Sequence, residues 1–402
     1  MRQVIYSWNY IEWGGAQIHF LALMREAVKS YRVTAVVPAK TDPQLLSFIE
    51  DTGARTRFFE GSVDLSPATT IIGRFSRKLR KIKAEYEMLK AIDEEAKGSE
   101  SIIHTDLGTW QSALPISWLA LRYPHFVTWH NSIGEMNPFR ALVVGAKTRF
   151  VSRLRNFHVF ASNKDCLEYF RRFLSDDRYK DARVTYTSVD PGEIGAALDD
   201  PEDRESALER FGLDASKRLV FCVGQFLDRK GRWDFLEAAK TLSSERDDVA
   251  FVWITNSTLS EPEQERVESY RLEEKFKLVE STRFGDDHVA LFKLLKHADV
   301  FALASTREGL PISILEAMAL GVPTISTNTN AIPEAIENRK TGLLVTPSSP
   351  AELAQAIGLL LDDDELRSKL ACNGKERVLA EFTDSEVASI AIDAYSTGFG
   401  NG

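Results

Sequence analysis

The sequence predicts an α/β protein with two doubly wound domains, on three observations. Short β-type runs alternate with helical patterns along the chain, which is typical of parallel sheets covered by helices. The alternation forms two series that divide near residue 190. The length of 402 residues also exceeds what one core usually holds. We therefore expect an N-terminal domain over residues 1–190 and a second Rossmann-like domain over residues 191–378.

The elements follow in order from these patterns. The candidate strands and helices of the first series are Val4–Ser7, Ala16–Lys29 (helix), Arg32–Val37, Pro43–Asp51 (helix), Ser101–Thr105 and Phe126–His130. Those of the second are Arg218–Gly224, Trp233–Ser243 (helix), Val249–Thr255, Lys277–Glu280, His288–Lys296 (helix), Val300–Ala304, Pro311–Leu320 (helix) and Thr324–Thr327. The acidic segment Gly192–Ser206 is the best linker candidate. Because ligands bind at the carboxyl ends of parallel strands, we expect them in a cleft between the domains.

Composition excludes several classes of protein. Apolar content of 44% and charged content of 27% indicate an ordinary globular chain. The sequence contains no apolar run long enough to span a bilayer, and its start does not resemble a signal peptide. The three cysteines, Cys166, Cys222 and Cys372, are scattered without metal-ligand spacing. We expect a cytoplasmic protein, or one peripheral on the inner face of the membrane, without disulfides or zinc.

Charge is distributed unevenly along the chain. Residues 1–190 contain 27 Lys+Arg and 21 Asp+Glu, whereas the remainder contains 23 and 38. Two basic stretches, Arg74–Lys83 and Arg140–Arg155, account for much of the difference, and apolar residues accompany the first of them at helical spacing. A packed helix with a solvated basic face explains such charge. An anionic membrane surface is the alternative. Nucleic acid is disfavoured, because no recognised nucleic-acid motif is present.

Two carboxylates, Glu308 and Glu316, are separated by a turn and a helix start. Pro311 suits the first position of this helix, where a missing N–H costs nothing. The backbone N–H groups of Ile312 and Ser313 then favour a phosphate anion. The segment could bind a sugar nucleotide through two carboxylates and an anion site. It could equally be a capped helix with a buried face.

The residues from Ala298 to Val345 resemble the donor-binding core of retaining GT-B glycosyltransferases of family 4. The likeness rests on three segments, Ala298–Ala319 with its Glu-x7-Glu pattern, Gly321–Ile325, and Ile332–Glu334 followed by Thr341–Val345. It implies a GT-B fold, two Rossmann-like domains facing each other across a cleft. It also implies that a last helix, within residues 379–402, crosses back to the first domain. Asp384 stands where the family often has Trp.

The resemblance implies roles for individual residues. Glu308 would hold hydroxyls of the donor sugar and Glu316 those of the ribose. Lys230 would bind the diphosphate, together with the helix start and the glycine loop after the first strand. His130 would position sugar and acceptor. We therefore take His130, Glu308 and Lys230 as catalytic candidates; the donor-binding candidates are Gly14, Gly15, Gln225, Arg229, Lys230, Gly309, Leu310, Ile312, Ser313 and Glu316.

One position departs from the family pattern. Gln225 stands where Arg is usual, so one of two expected cations is absent there. Arg229, beside Lys230, is a candidate to replace it. No Asp-x-Asp motif lies in a suitable loop, and a helix start with Lys230 could serve instead, so we expect no metal requirement and no cofactor.

The expected activity is transfer of a sugar, with retention, from a UDP-sugar or GDP-sugar to a hydroxyl of a saccharide or lipid-linked acceptor, in cell-surface polysaccharide or glycolipid synthesis. A GT-B sugar-nucleotide epimerase or a phosphorylase is the alternative enzyme. A non-catalytic sugar-nucleotide-binding module is the alternative from another class, and an NAD-dependent dehydrogenase ranks last.

Overall fold

A computed structural model of the chain describes residues 2–11, 14–62, 71–106, 113–130, 137–285 and 287–400, without the side chains of 71–75 and 400. The chain divides into two compact units. Unit 1 comprises Met1–Thr187 and Asp384–Gly402, and unit 2 comprises Ser188–Thr383. The expected boundaries after residues 190 and 378 differ from these by three and five positions. The chain passes between the units twice, after residue 187 and after residue 383. On the unit 2 side these two segments are hydrogen-bonded to each other, since Val189 N donates to Phe382 O at 2.9 Å.

Unit 1 contains a parallel seven-stranded sheet in the order β3-β2-β1-β4-β5-β6-β7. Its strands are β1 (Arg2–Ser7), β2 (Arg32–Pro38), β3 (Arg55–Phe59), β4 (Glu100–Thr105), β5 (His125–Trp129), β6 (Phe157–Ala161) and β7 (Arg183–Val184). The described helices are α1 (Gly15–Ala27), α2 (Pro43–Asp51), α3 (Ile71–Ala96), α4 (Ala113–Ala120), α5 (Pro138–Val151), α6 (Lys164–Arg171), α7 (Asp176–Asp181) and, at the end of the chain, α17 (Asp384–Gly400).

Alternation of side chains gives unit 1 a core on each face of its sheet. Ile5 and Val127 pack on one face against helices that include α3 and α4. Val4 and Phe126 pack on the other face against α1 and α17. The last helix thus belongs to unit 1, and the Asp384 carboxylate at its start forms an ion pair with Arg25 Nη1 of α1 at 2.9 Å.

Unit 2 repeats this plan with a parallel six-stranded sheet in the order β10-β9-β8-β11-β12-β13. Its strands are β8 (Arg218–Val223), β9 (Val249–Thr255), β10 (Phe276–Glu280), β11 (Val300–Leu303), β12 (Thr324–Thr327) and β13 (Leu343–Val345). The described helices are α8 (Pro191–Leu198), α9 (Arg204–Glu209), α10 (Arg232–Glu245), α11 (Glu261–Glu268), α12 (His288–Leu295), α13 (Ile312–Ala319), α14 (Ile332–Ala335), α15 (Pro350–Asp362) and α16 (Asp364–Glu381).

The linker expectation is wrong. Gly192–Ser206 includes most of α8 and the start of α9, both of which belong to unit 2. Pro191 occupies the first turn of α8, and the Asp190 carboxylate accepts from Gly192 N at 2.8 Å. Ile194 and Ala197 are buried, and α8 packs against α12. An acidic composition therefore marks capped short helices here and not a flexible connection.

The strand order places the candidate residues. In each sheet the order reverses beside the first strand, between β1 and β4 in unit 1 and between β8 and β11 in unit 2. Loops that leave the carboxyl ends of those two strands diverge and leave room for a ligand. In unit 2, Lys230 follows β8 and Glu308 follows β11. In unit 1, Gly14 follows β1 and Asp106 follows β4.

Candidate donor and acceptor sites

The loops after β8 and β11 are joined by close backbone contact in unit 2. Gly231 has φ of 73°, and a Cβ there would lie 1.9 Å from the carbonyl oxygen of Ala304. Only glycine tolerates both the conformation and the approach. Thr306 N also donates to Arg229 O at 2.9 Å. The glycine after Lys230 therefore brings the first loop against the end of β11.

Charged side chains meet where these loops touch. Lys230 Nζ lies 2.7 Å from Glu308 Oε1, and both side chains are largely buried. Arg229 Nη1 lies 3.3 Å from the same oxygen, and Ser305 Oγ donates to it at 2.9 Å. One carboxylate oxygen thus has two cations and a hydroxyl around it. Such charge-assisted contacts fix the orientation of Glu308 without any ligand.

Gln225 belongs to the same cluster. Arg229 Nη2 donates to Gln225 Oε1 at 3.2 Å, while its other terminal nitrogen contacts Glu308. The guanidinium of Arg229 therefore lies beside the position where the family pattern has an Arg. The structure brings together four of the predicted residues, Gln225, Arg229, Lys230 and Glu308.

Glu316 has different partners from Glu308. It is buried on α13, and burial raises the pKa of its carboxyl, while His288 nearby acts to lower it. His288 Nε2 lies 3.6 Å from Glu316 Oε1, and His288 Nδ1 lies 2.9 Å from Glu193 Oε2. His288 thus bridges two carboxylates from α8 and α13. Neither His288 nor Glu193 was among the predicted site residues.

The helix after Glu308 begins one residue later than expected. Pro311 has ψ of 121° and precedes the helix, whose first residue is Ile312. Among the described residues no side chain caps this helix start. Ser313 and Leu310 are buried, whereas Ile312 and Gly309 are partly exposed. The backbone amides of this first turn remain the candidate anion site.

The predicted residues of unit 1 lie at the carboxyl edge of its own sheet. His130 follows β5 directly and is not its last residue as expected, and Asp106 follows the neighbouring strand β4. His130 Nε2 lies 3.8 Å from Asp106 Oδ1, and the hydroxyl of Tyr10 donates to Asp106. The rings of His19 and Phe20 lie within 6.0 Å of His130, centroid to centroid. Asp106 and Tyr10 were not predicted as partners of His130, although the shared sheet edge was a usable signal.

Burial shifts the pKa values of His130 and Asp106 in the direction that favours their neutral forms. Desolvation lowers the pKa of His130 to about 4. Desolvation also raises the pKa of Asp106 to about 6, against a smaller opposing effect of the Tyr10 hydrogen bond. His130 is therefore an uncharged imidazole at neutral pH and can act as a hydrogen-bonding group.

His104, near the end of β4, belongs to the core of unit 1. Its ring is fully buried and bonds the hydroxyls of Tyr395 and Thr128, each at 2.6 Å.

The glycine loop of unit 1 forms a helix start with its own side-chain contact. Gly14 precedes α1, and Gly14 N donates to Gln17 Oε1 at 2.9 Å. A Cβ at Gly14 or Gly15 would meet no atom within 4 Å. The structure thus leaves open space beside both glycines, in agreement with close approach of a ligand and equally with a simple turn.

Comparison with known proteins agrees with this geometry. Residues 203–377 match the family model described as glycosyl transferases group 1. Over 342 residues the chain is 26% identical to alpha-maltose-1-phosphate synthase of Mycolicibacterium smegmatis, a match that covers 79% of this chain and 84% of that protein. It is 28% identical over 194 residues to the N,N'-diacetylbacillosaminyl-diphospho-undecaprenol alpha-1,3-N-acetylgalactosaminyltransferase of Campylobacter jejuni, covering 48% of each chain and so about half of that relative.

Among solved structures, Anabaena HepE in complex with UDP superposes with a TM-score of 0.75 at 17% identity, covering 99% of this chain and 100% of that one. This likeness confirms the predicted fold class, GT-B with two Rossmann-like domains. The match to the group 1 family model lies within unit 2 and covers 175 of the 402 residues. Across the described residues no helix has the length and apolar character needed to cross a membrane.

Proposed function

We propose that this glycosyltransferase moves a sugar, with retention at its anomeric carbon, from a nucleotide-diphosphate sugar to an acceptor hydroxyl. The observation that carries the proposal is the cluster in which Lys230 and Arg229 both contact Glu308. A diphosphate needs cations, sugar hydroxyls need an acceptor such as a carboxylate, and here the two lie side by side.

The ion pairs suggest how the donor would enter. A bound diphosphate would form ion pairs with Lys230 and Arg229, in addition to their contacts with Glu308 or in place of them. Glu308 would then accept hydrogen bonds from sugar hydroxyls. As the bond between sugar and phosphate breaks, negative charge on the leaving diphosphate increases. Lys230 and Arg229, with the amides at the start of α13, would stabilise that charge. Glu316 would accept bonds from the ribose hydroxyls.

We further propose that transfer needs no divalent metal, because two cations and a helix start already face the expected diphosphate. A chelator such as EDTA tests this point directly. Unchanged transfer after chelation supports the proposal, and loss of transfer that Mg²⁺ or Mn²⁺ restores contradicts it.

Unit 1 would bind the acceptor, with the neutral His130 beside Asp106 and Tyr10 as candidate hydrogen-bonding groups. The relative from Campylobacter is named for transfer to a diphospho-undecaprenol-linked sugar, which motivates a lipid-linked saccharide of surface polysaccharide or glycolipid synthesis as acceptor. HepE, which shares the fold, is in complex with UDP, so UDP-sugars are the first donors to assay, followed by GDP-sugars.

The deciding experiment measures release of nucleoside diphosphate with and without saccharide and lipid-linked acceptors. Release that depends on an acceptor supports transfer. Binding of the donor without release would favour a binding module, and interconversion of free nucleotide sugars would favour an epimerase. NMR of the purified product then gives the anomeric configuration: retention supports the proposal, and inversion contradicts its stereochemistry.

A further inference from the structure

The amphipathic helices α3 and α5 of unit 1 expose their apolar side chains. On α3, Leu79, Ile82 and Tyr86 are 54%, 51% and 64% exposed. They recur at steps of three and four and so share one face. Ala84 and Met88 of the same helix are fully buried and lie on the opposite face. The periodic stripe in the sequence therefore faces outward, contrary to the usual orientation of a packed helix.

The shorter helix α5 has the same arrangement. Phe139, Leu142 and Phe150 are 77%, 68% and 58% exposed, and Val143 joins them on the outer side of the helix. Val144 and other residues on the inner side are buried. Most of the strongly exposed large apolar side chains among the described residues thus lie on these two helices and beside α4, which packs against both.

Basic side chains surround these apolar groups. Residues 76–84 and 137–164 contain no acidic residue. The described cations are Arg77, Lys78, Arg80, Lys81 and Lys83 on α3, and Arg140, Lys147, Arg149, Arg153 and Arg155 on or just after α5. Arg74 has a side chain outside the described residues. Both helices pack against α4, which joins their outer sides into one surface. We call it the basic apolar face.

We propose that the basic apolar face binds the surface of an anionic lipid membrane. Exposed aromatic and aliphatic side chains flanked by Lys and Arg are the composition of helices that lie in the membrane interface. The apolar groups would enter the boundary between headgroups and acyl chains, and the cations would contact anionic headgroups. The inference is separate from the proposed transfer, because α3 and α5 carry none of the residues proposed to bind the donor.

Charge favours a membrane over a second copy of this chain. A two-fold contact would place the same patch on both copies, so the cations of one copy would face those of the other; Lys81 among them has a carboxylate partner, Glu85 at 3.6 Å. Like charges brought together in this way oppose association. An anionic membrane instead complements the cations while covering the same apolar groups.

Vesicle co-sedimentation of the full chain tests the proposal. The vesicles contain phosphatidylcholine alone or mixed with phosphatidylglycerol. The wild type is expected to sediment with the mixed vesicles, less so as salt increases, and to remain in solution with the neutral ones. The triple variant Lys78→Gln, Arg80→Gln, Lys83→Gln is expected to partition about 100-fold more weakly, because each cation near an anionic surface contributes roughly fivefold.

A second variant tests the apolar contribution separately. Phe139→Ser, Leu142→Ser and Phe150→Ser together are expected to reduce partition at least tenfold. Matched controls are Lys40→Gln, Lys97→Gln, Lys369→Gln for charge and Phe58→Ser for apolar exposure, all at exposed positions outside α3 and α5. Both controls should bind like the wild type. All the proteins should show the same circular dichroism and acceptor-free donor binding.

Three results would overturn the proposal: no binding to mixed vesicles, equal binding to neutral vesicles, or binding that both face variants leave unchanged. Sedimentation velocity tests whether a second copy of this chain binds the basic apolar face. A concentration-dependent dimer that the apolar variant abolishes, without vesicle binding by the wild type, would assign this face to a second copy.

Discussion

The two units share a sheet topology but place opposite chemistry at its carboxyl edge. In unit 2 the loops after β8 and β11 bring Lys230 and Arg229 to one oxygen of Glu308. In unit 1 the corresponding edge contains His130, Asp106 and Tyr10, where burial favours the neutral forms of both His130 and Asp106. The comparison teaches that the fold supplies only the position of a site. A charged diphosphate suits the first edge, and an uncharged hydroxyl suits the second.

The largest expected effect concerns the buried carboxyl of Asp106 in unit 1. In the wild type the carboxyl of Asp106 has a pKa of about 6 when folded and 3.8 as its ordinary value. Its ionisation therefore favours the unfolded state, and stability from this group is full below pH 3.8 and lost as pH rises through 6. Asp106→Asn should remove this dependence, worth about 3 kcal/mol.

Urea unfolding of both proteins between pH 4 and pH 7 measures it. The stability of Asp106→Asn relative to wild type should increase across that range. Asp51→Asn, at an exposed position, should show no such trend. A difference that stays constant with pH would show that burial does not raise the pKa of Asp106.

The next largest effect is expected when Glu308, in the charged cluster of unit 2, is replaced. Glu308→Gln keeps the shape of the side chain and removes the charge that Lys230 and Arg229 contact. Loss of charged hydrogen bonds to the donor sugar should lower kcat/KM for transfer about 100-fold. Steady-state assays with saturating acceptor measure it, with the exposed Glu365→Gln as control. Full activity of Glu308→Gln would remove Glu308 from the site.

Variants of Arg229 test whether this residue supplies the cation that the family pattern has at position 225. Arg229→Ala should weaken binding of nucleoside diphosphate about tenfold, since one partly exposed charged contact is lost. Arg229→Lys keeps the charge but cannot bridge Gln225 and Glu308. Its affinity for nucleoside diphosphate should therefore lie between those of the wild type and Arg229→Ala. Equal affinity of all three proteins in calorimetric titration would mean that Arg229 does not replace the cation expected at residue 225.

The smallest effect concerns His288, which positions Glu316 and is not expected to touch the reacting atoms. His288→Gln should raise KM for the donor about threefold and leave kcat unchanged, because one medium-range contact to Glu316 is altered. Glu193→Gln should act in the same direction through His288. A fall in kcat with unchanged KM would contradict a positioning role.

Predictability from sequence differed between parts of the unit 2 site for a physical reason. Glu308, Gly309 and Glu316 lie within nine consecutive residues, and Lys230 lies in a short loop after a clear strand. Local pattern therefore sufficed. The contacts of His288 with Glu193 and Glu316 depend on how α8, α12 and α13 are positioned, which brings together side chains distant in sequence.

Helical periodicity was equally limited on α3. It predicted the helix correctly, but spacing alone does not say whether a stripe faces the core or solvent. Leu79, Ile82 and Tyr86 face outward because Ala84 and Met88 fill the inner side. The prediction of a linker after residue 190 was wrong for a similar reason. Acidic composition does not show that Ile194 and Ala197 of this segment are buried.

The central claim is that Lys230 binds the diphosphate of the donor. Calorimetric titration of UDP and GDP into wild type, Lys230→Gln and the exposed control Lys369→Gln tests it most directly. We predict that Lys230→Gln weakens the preferred nucleotide about 10- to 100-fold, the range expected for a charged hydrogen bond, while Lys369→Gln does not. Equal affinity of Lys230→Gln and wild type would contradict the account.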